Sequence, residues 1–337
     1  MAPVENTISS MDPTLAVTLQ RGERVPASPQ FSVVVIAYNS EPYLREAVQS
    51  AIDQDLPDVE VIVVDDGSRQ PVATTLPPEI LARCVVIRKP NGGIAAARNT
   101  GIRACRSPYV ALLDGDDCML PNHCRIALDA FRRDPQTSVV VPDAYILATG
   151  IERCTLKHSL RYPRIHAITF ENYVKGLSPL AGWSTLRRDC FERYCYLDEE
   201  FRNGGEDFHH FAKLLAMGVR FSYLDSPTYE YRRHDGSITY SQPIHMANCI
   251  LRAIEKLVAE PIFSPHMLGL LEEYRHRTAQ LLAWYQFRDS FSRRDFAGAS
   301  RWLPAIQPKF IPSTASRIKF YCAVVFMRAV MMLRLQA

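Results

Sequence analysis

The chain has 337 residues, which is enough for one large domain or two modest ones and for a substantial buried core. Hydrophobic residues make up 47% of the chain and charged residues 22%, a globular composition that excludes a disordered or fibrous protein. The formal net charge is only +3, so the overall charge gives no indication of a nucleic-acid partner.

The cysteine pattern and the hydropathy exclude further classes. The nine cysteines include no Cys-x-x-Cys pair, which excludes a zinc ribbon and a thioredoxin-like motif. Residues 1–30 lack the apolar segment of a signal peptide, and no stretch reaches the roughly 20 apolar residues of a membrane span. We therefore expect a protein of the reducing cytosol.

The first half of the chain alternates between strand and helix patterns. Residues 1–30 hold four prolines and little periodicity, which is typical of a mobile arm. From residue 31, buried-strand patterns alternate with helical ones, which predicts βαβ units and an α/β fold with a mostly parallel sheet flanked by helices. The predicted strands are 31–37, 59–64, 84–87, 109–113 and 138–141, and the helices are about 42–52, 94–104 and 121–132.

The second half is less regular until it turns helical. Between 142 and 240 we predict helices near 170–175 and 206–217 and strands near 183–186, 221–224 and 228–232. After about residue 242 we predict helices at 244–259, 266–289, 293–303 and 314–335. These patterns divide the chain into an arm (1–30), a main domain (31–240) and a helical C-terminal region (241–337).

Polar or glycine-rich clusters follow four successive predicted strands. They are Tyr38-Asn39 with Glu41, then Asp65–Ser68, Lys89–Gly93 and Asp114–Asp117. Because ligands of parallel sheets bind outside the carboxyl ends of the strands, these clusters should meet at one edge. Four clusters together predict a nucleotide pocket.

The fourth cluster points to a metal. Asp114, Asp116 and Asp117 lie within four residues, and like charges this close repel one another unless a cation joins them. Hard carboxylate oxygens suit Mg²⁺ or Mn²⁺, which commonly neutralises charge on a leaving phosphate. The alternative is an exposed acidic turn that caps the next helix.

The second and third clusters also have plainer interpretations. Asp and Gly are common in turns, although Asp66 at a strand end can also accept from a base N–H or a ribose hydroxyl. Asn91-Gly92-Gly93 before a helix fits a phosphate-binding turn or an ordinary helix start. Arg98 and Asn99 lie one turn into that helix, where they can face the same pocket.

Two motifs of the second half are candidates for chemistry. Glu206 and Asp207 stand at a predicted helix start, where carboxylates interact favourably with the helix dipole. Alternatively, one of them deprotonates a hydroxyl acceptor. His234 is a candidate metal ligand or phosphate contact, although a single loop histidine often has neither role.

Together these motifs resemble those of glycosyltransferase family 2, which has the GT-A nucleotide-sugar fold, over about residues 31–240. The resemblance implies a nucleotide-binding half (31–141), an acceptor half (142–240) and inverting transfer of a sugar from a nucleoside-diphosphate sugar, with UDP favoured, to a hydroxyl group. It rests on Ala37-Tyr38-Asn39 with Glu41 and Tyr43-Leu44, Val63–Ser68, Asn91–Gly101, Leu112–Asp117, Gly205-Glu206-Asp207 and Tyr231–His234.

The resemblance also implies roles on the donor side. Ala37, Tyr38 and the Asp66 carboxylate would hold the base, and Arg98 would lie near base and ribose. The complete set of implied donor-binding residues is Ala37, Tyr38, Glu41, Asp66, Asn91, Gly92, Gly93, Arg98 and Asp114.

The implied metal and catalytic residues lie further along the chain. Asp116, with Asp114 and His234, would hold Mn²⁺ or Mg²⁺. Asp207, or else Glu206, would be the base on the acceptor hydroxyl. The candidate contacts of the diphosphate are Arg232 and Arg233.

The C-terminal end has its own chemistry. Residues 311–337 contain four basic residues and no acid, among many apolar ones. The helix 314–335 is either a peripheral contact with an anionic membrane at the inner face of the cell membrane, which suits a lipid-linked acceptor, or a helix packed on its neighbours or on a dimer partner. A saccharide is the other acceptor class.

Two rival functions fit the sequence less well. A dehydrogenase would show Gly-x-Gly-x-x-Gly after the first strand, and a sugar nucleotidyltransferase a glycine-rich basic loop; Ala37-Tyr38-Asn39-Ser40 is neither. A non-catalytic nucleotide-sugar-binding protein of the same fold is the second rival. The presence of four acids argues against it: Asp66, Asp114, Asp116 and Asp207. The resemblance implies work in cell-surface or extracellular polysaccharide or glycolipid assembly.

Overall fold

The computed structural model describes residues 17–148, 167–178, 182–237 and 241–335. The strands are β1 (Thr18–Arg21), β2 (Phe31–Ala37), β3 (Val59–Asp65), β4 (Cys84–Arg88), β5 (Tyr109–Asp114), β6 (Cys118–Met119), β7 (Val139–Ala148), β8 (Thr185–Arg187) and β9 (Phe221–Arg233). The helices are α1 (Glu41–Ile52), α2 (Val72–Thr75), α3 (Pro78–Leu81), α4 (Ile94–Ala104), α5 (His123–Arg133), α6 (Phe170–Val174), α7 (Asp189–Arg193), α8 (Glu206–Ala216), α9 (Pro243–Val258), α10 (Pro265–Ser292), α11 (Phe296–Trp302) and α12 (Thr314–Leu335).

A mixed sheet in the order β1-β4-β3-β2-β5-β8-β7-β9-β6 forms the centre of the fold. The strands β4, β3, β2 and β5 are parallel, as predicted. Their side chains alternate between two cores: Val34 faces α4 and α8, whereas Val33 and Val35 face α1 and α5. The predicted α/β architecture with a C-terminal helical region is thereby confirmed.

The register of the parallel strands brings the predicted clusters to one edge. Ala37 pairs with Asp65, Asp65 with Arg88, and Ile36 with Asp114. The four loops that follow these strands therefore leave the sheet at the same level. This is the geometric reason that clusters up to about 80 positions apart in the sequence share one pocket.

Three details differ from the sequence-based prediction. The strand predicted at 138–141 does not extend the parallel set, because the short β8 lies between β5 and β7 and is antiparallel to both. The two strands predicted at 221–224 and 228–232 are one strand, β9, which is parallel to β7. Residues 18–21 of the predicted mobile arm form β1, antiparallel to β4, while residues 1–16 lie outside the described part of the chain.

The C-terminal helices pack in two separate groups. The first, α9 and the start of α10, join the core under the sheet through residues such as Ile254 and Leu271. The end of α10, with α11 and α12, forms a separate core around Trp284, Phe287 and Phe320. Among the described residues, no helix combines the length and hydropathy of a membrane-spanning segment.

Candidate active site

A pocket of about 1080 Å³ opens at the carboxyl edge of the parallel strands. This volume is at the upper end of the range for small-molecule sites, so it leaves room for two bound groups. The predicted residues that line it are Ala37, Tyr38, Asp66, Asn91, Gly93, Arg98, Asp114, Asp116, Glu206, Asp207, Arg233 and His234. Three other predicted residues, Glu41, Gly92 and Arg232, lie outside its wall.

Tyr38 presents its ring at one side of the pocket, with 55% of the residue exposed. The loop that carries it is tied to the turn after β3: the Asn39 backbone N–H donates to Ser68 Oγ at 3.2 Å, and the Arg69 N–H donates to Asn39 Oδ1 at 3.0 Å. Asn39 adopts a left-handed φ of 51°, which asparagine tolerates better than most residues. An exposed aromatic ring on a fixed loop can stack on a planar base.

The two neighbouring aspartates after β3 have different tasks. Asp65 is buried and accepts from the backbone N–H of Ser68 at 2.8 Å and of Val72 at 3.1 Å, and it also pairs with Arg88. These bonds build the turn, as the plainer interpretation of this cluster predicts. Asp66 lines the pocket instead.

Asp66 also holds the third loop in place. Its carboxylate accepts from Lys89 Nζ at 2.6 Å and from the backbone N–H groups of Gly92 at 2.9 Å and Gly93 at 2.8 Å. In a phosphate-binding turn such N–H groups would face a phosphate. Here they face a carboxylate, so the geometry favours the helix-start interpretation of Asn91-Gly92-Gly93.

The Asp114–Asp117 loop places Asp116 next to His234. Asp116 Oδ2 and His234 Nε2 are 2.9 Å apart, and the Tyr43 ring packs on the imidazole with centroids 4.7 Å apart. Burial, and next the charge of Asp114, raise the pKa of Asp116. A carboxylate oxygen and an imidazole nitrogen at this distance are donors that suit a divalent cation.

The other two aspartates of this loop have protein partners. Asp114 accepts from Arg98 Nη2 at 2.8 Å, and the buried Asp117 accepts from the Tyr229 hydroxyl at 2.9 Å and from the Arg232 backbone N–H at 2.7 Å. In the part of the chain that the structure describes, no three His, Cys, Asp or Glu side chains are arranged as a metal site. Asp116 and His234 would therefore hold a divalent cation only together with ligands from outside this pair.

Arg98 is buried between the carboxylates of Asp114 and Glu206. It is 3% exposed and donates to Glu206 Oε1 at 2.7 Å as well as to Asp114. Burial and then the charge of Asp207 raise the pKa of Glu206 to about 7, although Arg98 opposes them. The resemblance implies that Arg98 lies near base and ribose, and the structure places its guanidinium between the two carboxylates.

Asp207 stands beside this buried pair and faces the pocket. Its Oδ1 accepts from the Phe208 backbone N–H at 2.7 Å, within the first turn of α8. Burial is the main cause that raises the pKa of Asp207, and the charge of Arg98 opposes it. Glu206 is engaged with Arg98, so of the two carboxylates Asp207 is the stronger candidate for a general base.

The two candidate arginines of β9 differ in position. The Arg232 guanidinium donates to Glu46 at 2.7 Å and to the Asp116 backbone carbonyl at 2.9 Å, and it lies over the Tyr43 ring. Arg232 thus anchors the Asp114–Asp117 loop to α1. Arg233 lines the pocket, so it is the stronger of the two candidates for a contact with a bound anion.

Several further lining residues carry only weak signals in the sequence. Trp183 stacks on the buried Tyr229 with ring centroids 5.0 Å apart, and Tyr231 lies 5.5 Å from the same indole. Arg202 donates to the Asn91 carbonyl at 2.9 Å. Met246 comes from α9, a region in which the sequence shows only helical periodicity.

Comparison with known proteins supports the family indicated by these residues. A sequence model of Glycosyl transferase family 2 matches residues 32–194. The succinoglycan biosynthesis protein ExoW of Rhizobium meliloti (strain 1021) is 41% identical over 314 residues, which cover 85% of this chain and 97% of ExoW. EpsH of Bacillus subtilis (strain 168) is 31% identical over 222 residues, and the match spans only 63% of the length of EpsH.

Two solved structures share the fold. The S. aureus TarS structure in complex with UDP-GlcNAc has a TM-score of 0.61 at 20% identity, covering 83% of this chain and 82% of that one. The mannosyltransferase PcManGT from Pyrobaculum calidifontis, in complex with GDP-Man and Mn²⁺, has a TM-score of 0.54 at 18% identity, covering 93% of this chain and 83% of that one. The chain belongs to glycosyltransferase family 2, and the sequence-based prediction of this family is confirmed.

Proposed function

We propose that the protein transfers a sugar, with inversion at the anomeric carbon, from a nucleoside-diphosphate sugar to a hydroxyl acceptor. The observation that carries the proposal is that one pocket is lined both by the Asp116–His234 pair and by Asp207, next to the Arg98–Glu206 pair. Inversion needs a base on the face of the sugar opposite the leaving group, and one carboxylate is sufficient for it. Membership of a transferase family supports this reaction class.

The proposed catalytic step assigns each group one task. Asp207 takes the proton of the acceptor hydroxyl, whose oxygen attacks the anomeric carbon while the bond to the diphosphate oxygen breaks. The sugar passes through an oxocarbenium-like transition state, as in other glycosyl chemistry. Glu206 and Arg98 keep Asp207 in position, and Arg233 faces the negative charge of the departing diphosphate.

The proposed cation is Mn²⁺ or Mg²⁺, held by Asp116 and His234. When bound there, a divalent cation supplies charge neutralisation for the diphosphate. The structural neighbour PcManGT was obtained with Mn²⁺, which supports this choice.

The donor side of the proposal uses Tyr38 and Asp66 for the base, and Asp114 for the ribose or the metal. We favour a UDP-sugar, in line with the neighbour TarS, whose structure contains UDP-GlcNAc. The proposed acceptor is a saccharide or a lipid-linked saccharide in cell-surface or extracellular polysaccharide assembly. The name of ExoW, a succinoglycan biosynthesis protein, supports this setting.

The test is turnover together with nucleotide binding. We expect calorimetry with UDP, GDP and UDP-sugars to show Mn²⁺-dependent binding of one nucleotide, which Asp116→Ala removes. Asp207→Asn should keep this binding and lose transfer to the acceptor, and the product anomer read by NMR should be inverted. Binding without turnover by the wild type would instead support the non-catalytic alternative.

We further propose that the protein is cytoplasmic and touches the inner face of the cell membrane through 314–335. Ile318, Tyr321 and Val325 lie along one side of α12 and are more than half exposed, with Arg317 and Lys319 beside them. Vesicles that contain phosphatidylglycerol should sediment the protein, and the double change Tyr321→Ser with Val325→Ser should release it. Val258→Ser, which alters an exposed valine outside α12, is the control, and equal sedimentation of all three proteins would contradict the proposal.

A further inference from the structure

The three residues before the proposed catalytic pair form a loop that is fixed mainly at its two ends. We call Asn203–Gly205 the base loop. Before it, the Arg202 carbonyl accepts from the Ile94 backbone N–H at 2.9 Å, at the start of α4. After it, Arg98 binds Glu206 at 2.7 Å. The φ angles of its two glycines are +123° and +88°, so the conformation between the two anchors suits only glycine.

The helix α9 covers this loop. His245 Nε2 lies 2.9 Å from the Asn203 carbonyl oxygen, and Cys249 Sγ lies 3.4 Å from the same imidazole nitrogen. Because a carbonyl oxygen can only accept, His245 carries its proton on Nε2 and donates it.

The packing between α9 and the base loop is tight around both glycines. A Cβ atom added to Gly204 would be 3.0 Å from Met246 Sδ, and one added to Gly205 would be 3.0 Å from the Cys249 carbonyl oxygen. Met246 also lines the pocket itself. The first helix of the C-terminal region is therefore part of the active-site wall.

We propose that α9 positions the base, with His245 as the positioning residue. His245 fixes the Asn203 carbonyl, Met246 and Cys249 close the space around the two glycines, and Asp207 is thereby held at one angle toward the acceptor hydroxyl. This inference rests on the proposed function of Asp207. Because the base loop and α9 both lie beyond residues 32–194, the contact between them belongs to the part of the chain outside the family match.

Kinetics of His245 variants test the proposal. A displacement of a reacting group by about 1 Å costs about a hundredfold in rate, so His245→Ala should lower kcat by about tenfold to a hundredfold. The KM for the donor should not change, because Asp66 is held by Lys89 and the third loop, and the loop that carries Tyr38 is held by the turn after β3. His245→Gln keeps an N–H donor at the same reach and should restore most of kcat, whereas His266→Ala, at an exposed position of α10, should leave kcat unchanged.

Hydrogen–deuterium exchange of the base loop gives a second readout that does not depend on turnover. Exchange at residues 203–208 should rise in His245→Ala and stay low in His245→Gln, with the sheet core at 109–114 unchanged in both. Wild-type kcat in His245→Ala, no rescue by glutamine, or an equal loss of donor affinity would overturn the proposal. A wild type that transfers no sugar would refute the proposed function. Exchange at the base loop would still confirm or overturn the positioning of this loop by α9.

Discussion

Replacing Arg98 with methionine should strongly destabilise the protein, because the guanidinium is buried between two carboxylates. Arg98 is 3% exposed and donates to Asp114 at 2.8 Å and to Glu206 at 2.7 Å. Removing one partner of a buried ion pair costs about 3–5 kcal/mol, since the remaining charge has no compensation. Folded domains are stable by only about 5–15 kcal/mol, so the free energy of unfolding near pH 8 should fall by a large fraction.

The size of this loss should depend on pH through Glu206. Burial and the charge of Asp207 raise the pKa of Glu206 from 4.5 to about 7. Because the pKa is raised, the ionised form of Glu206 lowers the free energy of unfolding at high pH. This destabilisation disappears as the pH falls through 7 toward 4.5 and Glu206 takes up a proton. Protonated Glu206 needs no counter-charge, so Arg98→Met should cost less at pH 5.5 than at pH 8.

Urea titrations followed by circular dichroism at both pH values measure this cost. Arg98→Lys is the matched variant, because it keeps the charge but lacks the planar fork that bonds both carboxylates, and its cost should be intermediate. An equal cost of Arg98→Met at the two pH values would refute Glu206 as the charged partner. A cost below about 1 kcal/mol, which is typical of exposed ion pairs, would refute the buried pair altogether.

Three further predictions concern activity, pH and packing. Asp207→Asn should lower kcat by about 10²–10⁴-fold with the donor KM unchanged, as measured by product formation, because a general base contributes about that much. The base acts as a carboxylate and burial raises the pKa of Asp207, so kcat in the wild type should rise with pH along a limb above the usual value of 3.8; a flat pH–rate profile would contradict this. Gly101→Ala should lower the free energy of unfolding by about 1–3 kcal/mol, because the added Cβ would lie 2.3 Å from Val34 Cγ1. Gly269→Ala in α10, where nothing lies within 4 Å of an added Cβ, should be neutral or stabilising in the same urea titration.

The sequence allows the pocket to be predicted because its main signals are local. Apolar runs with β-branched residues identify β2, β3, β4 and β5, and the polar residues that follow them must meet once those strands are parallel. Asp66, Asn91 and Asp114 enter the pocket for this reason alone. The helical pattern after residue 242 is likewise local, and all four helices predicted there are present.

Contacts between distant residues could not be predicted in this way. The Arg98–Glu206 pair joins residues 108 positions apart, and nothing local to either one indicates the other. The position of α9 over the base loop depends on packing into the core under the sheet, which periodicity does not specify. The short β1 and β8 contain too few residues for an alternating pattern, so their antiparallel pairing appears only in the structure.

The paired acids of this chain differ in ways that the sequence alone does not reveal. Asp65 and Asp117 are bound by backbone N–H groups and do not line the pocket, whereas their neighbours Asp66 and Asp116 do. Asp66 combines both roles, because its carboxylate also accepts from two backbone N–H groups of the third loop. Glu206 and Asp207 both line the pocket, and Glu206 is the one bound by a buried arginine. Loss of an acid that is bound within the protein should disturb the loop that carries its neighbour, whereas loss of a pocket acid acts at the site itself, so the two losses should harm activity by different routes.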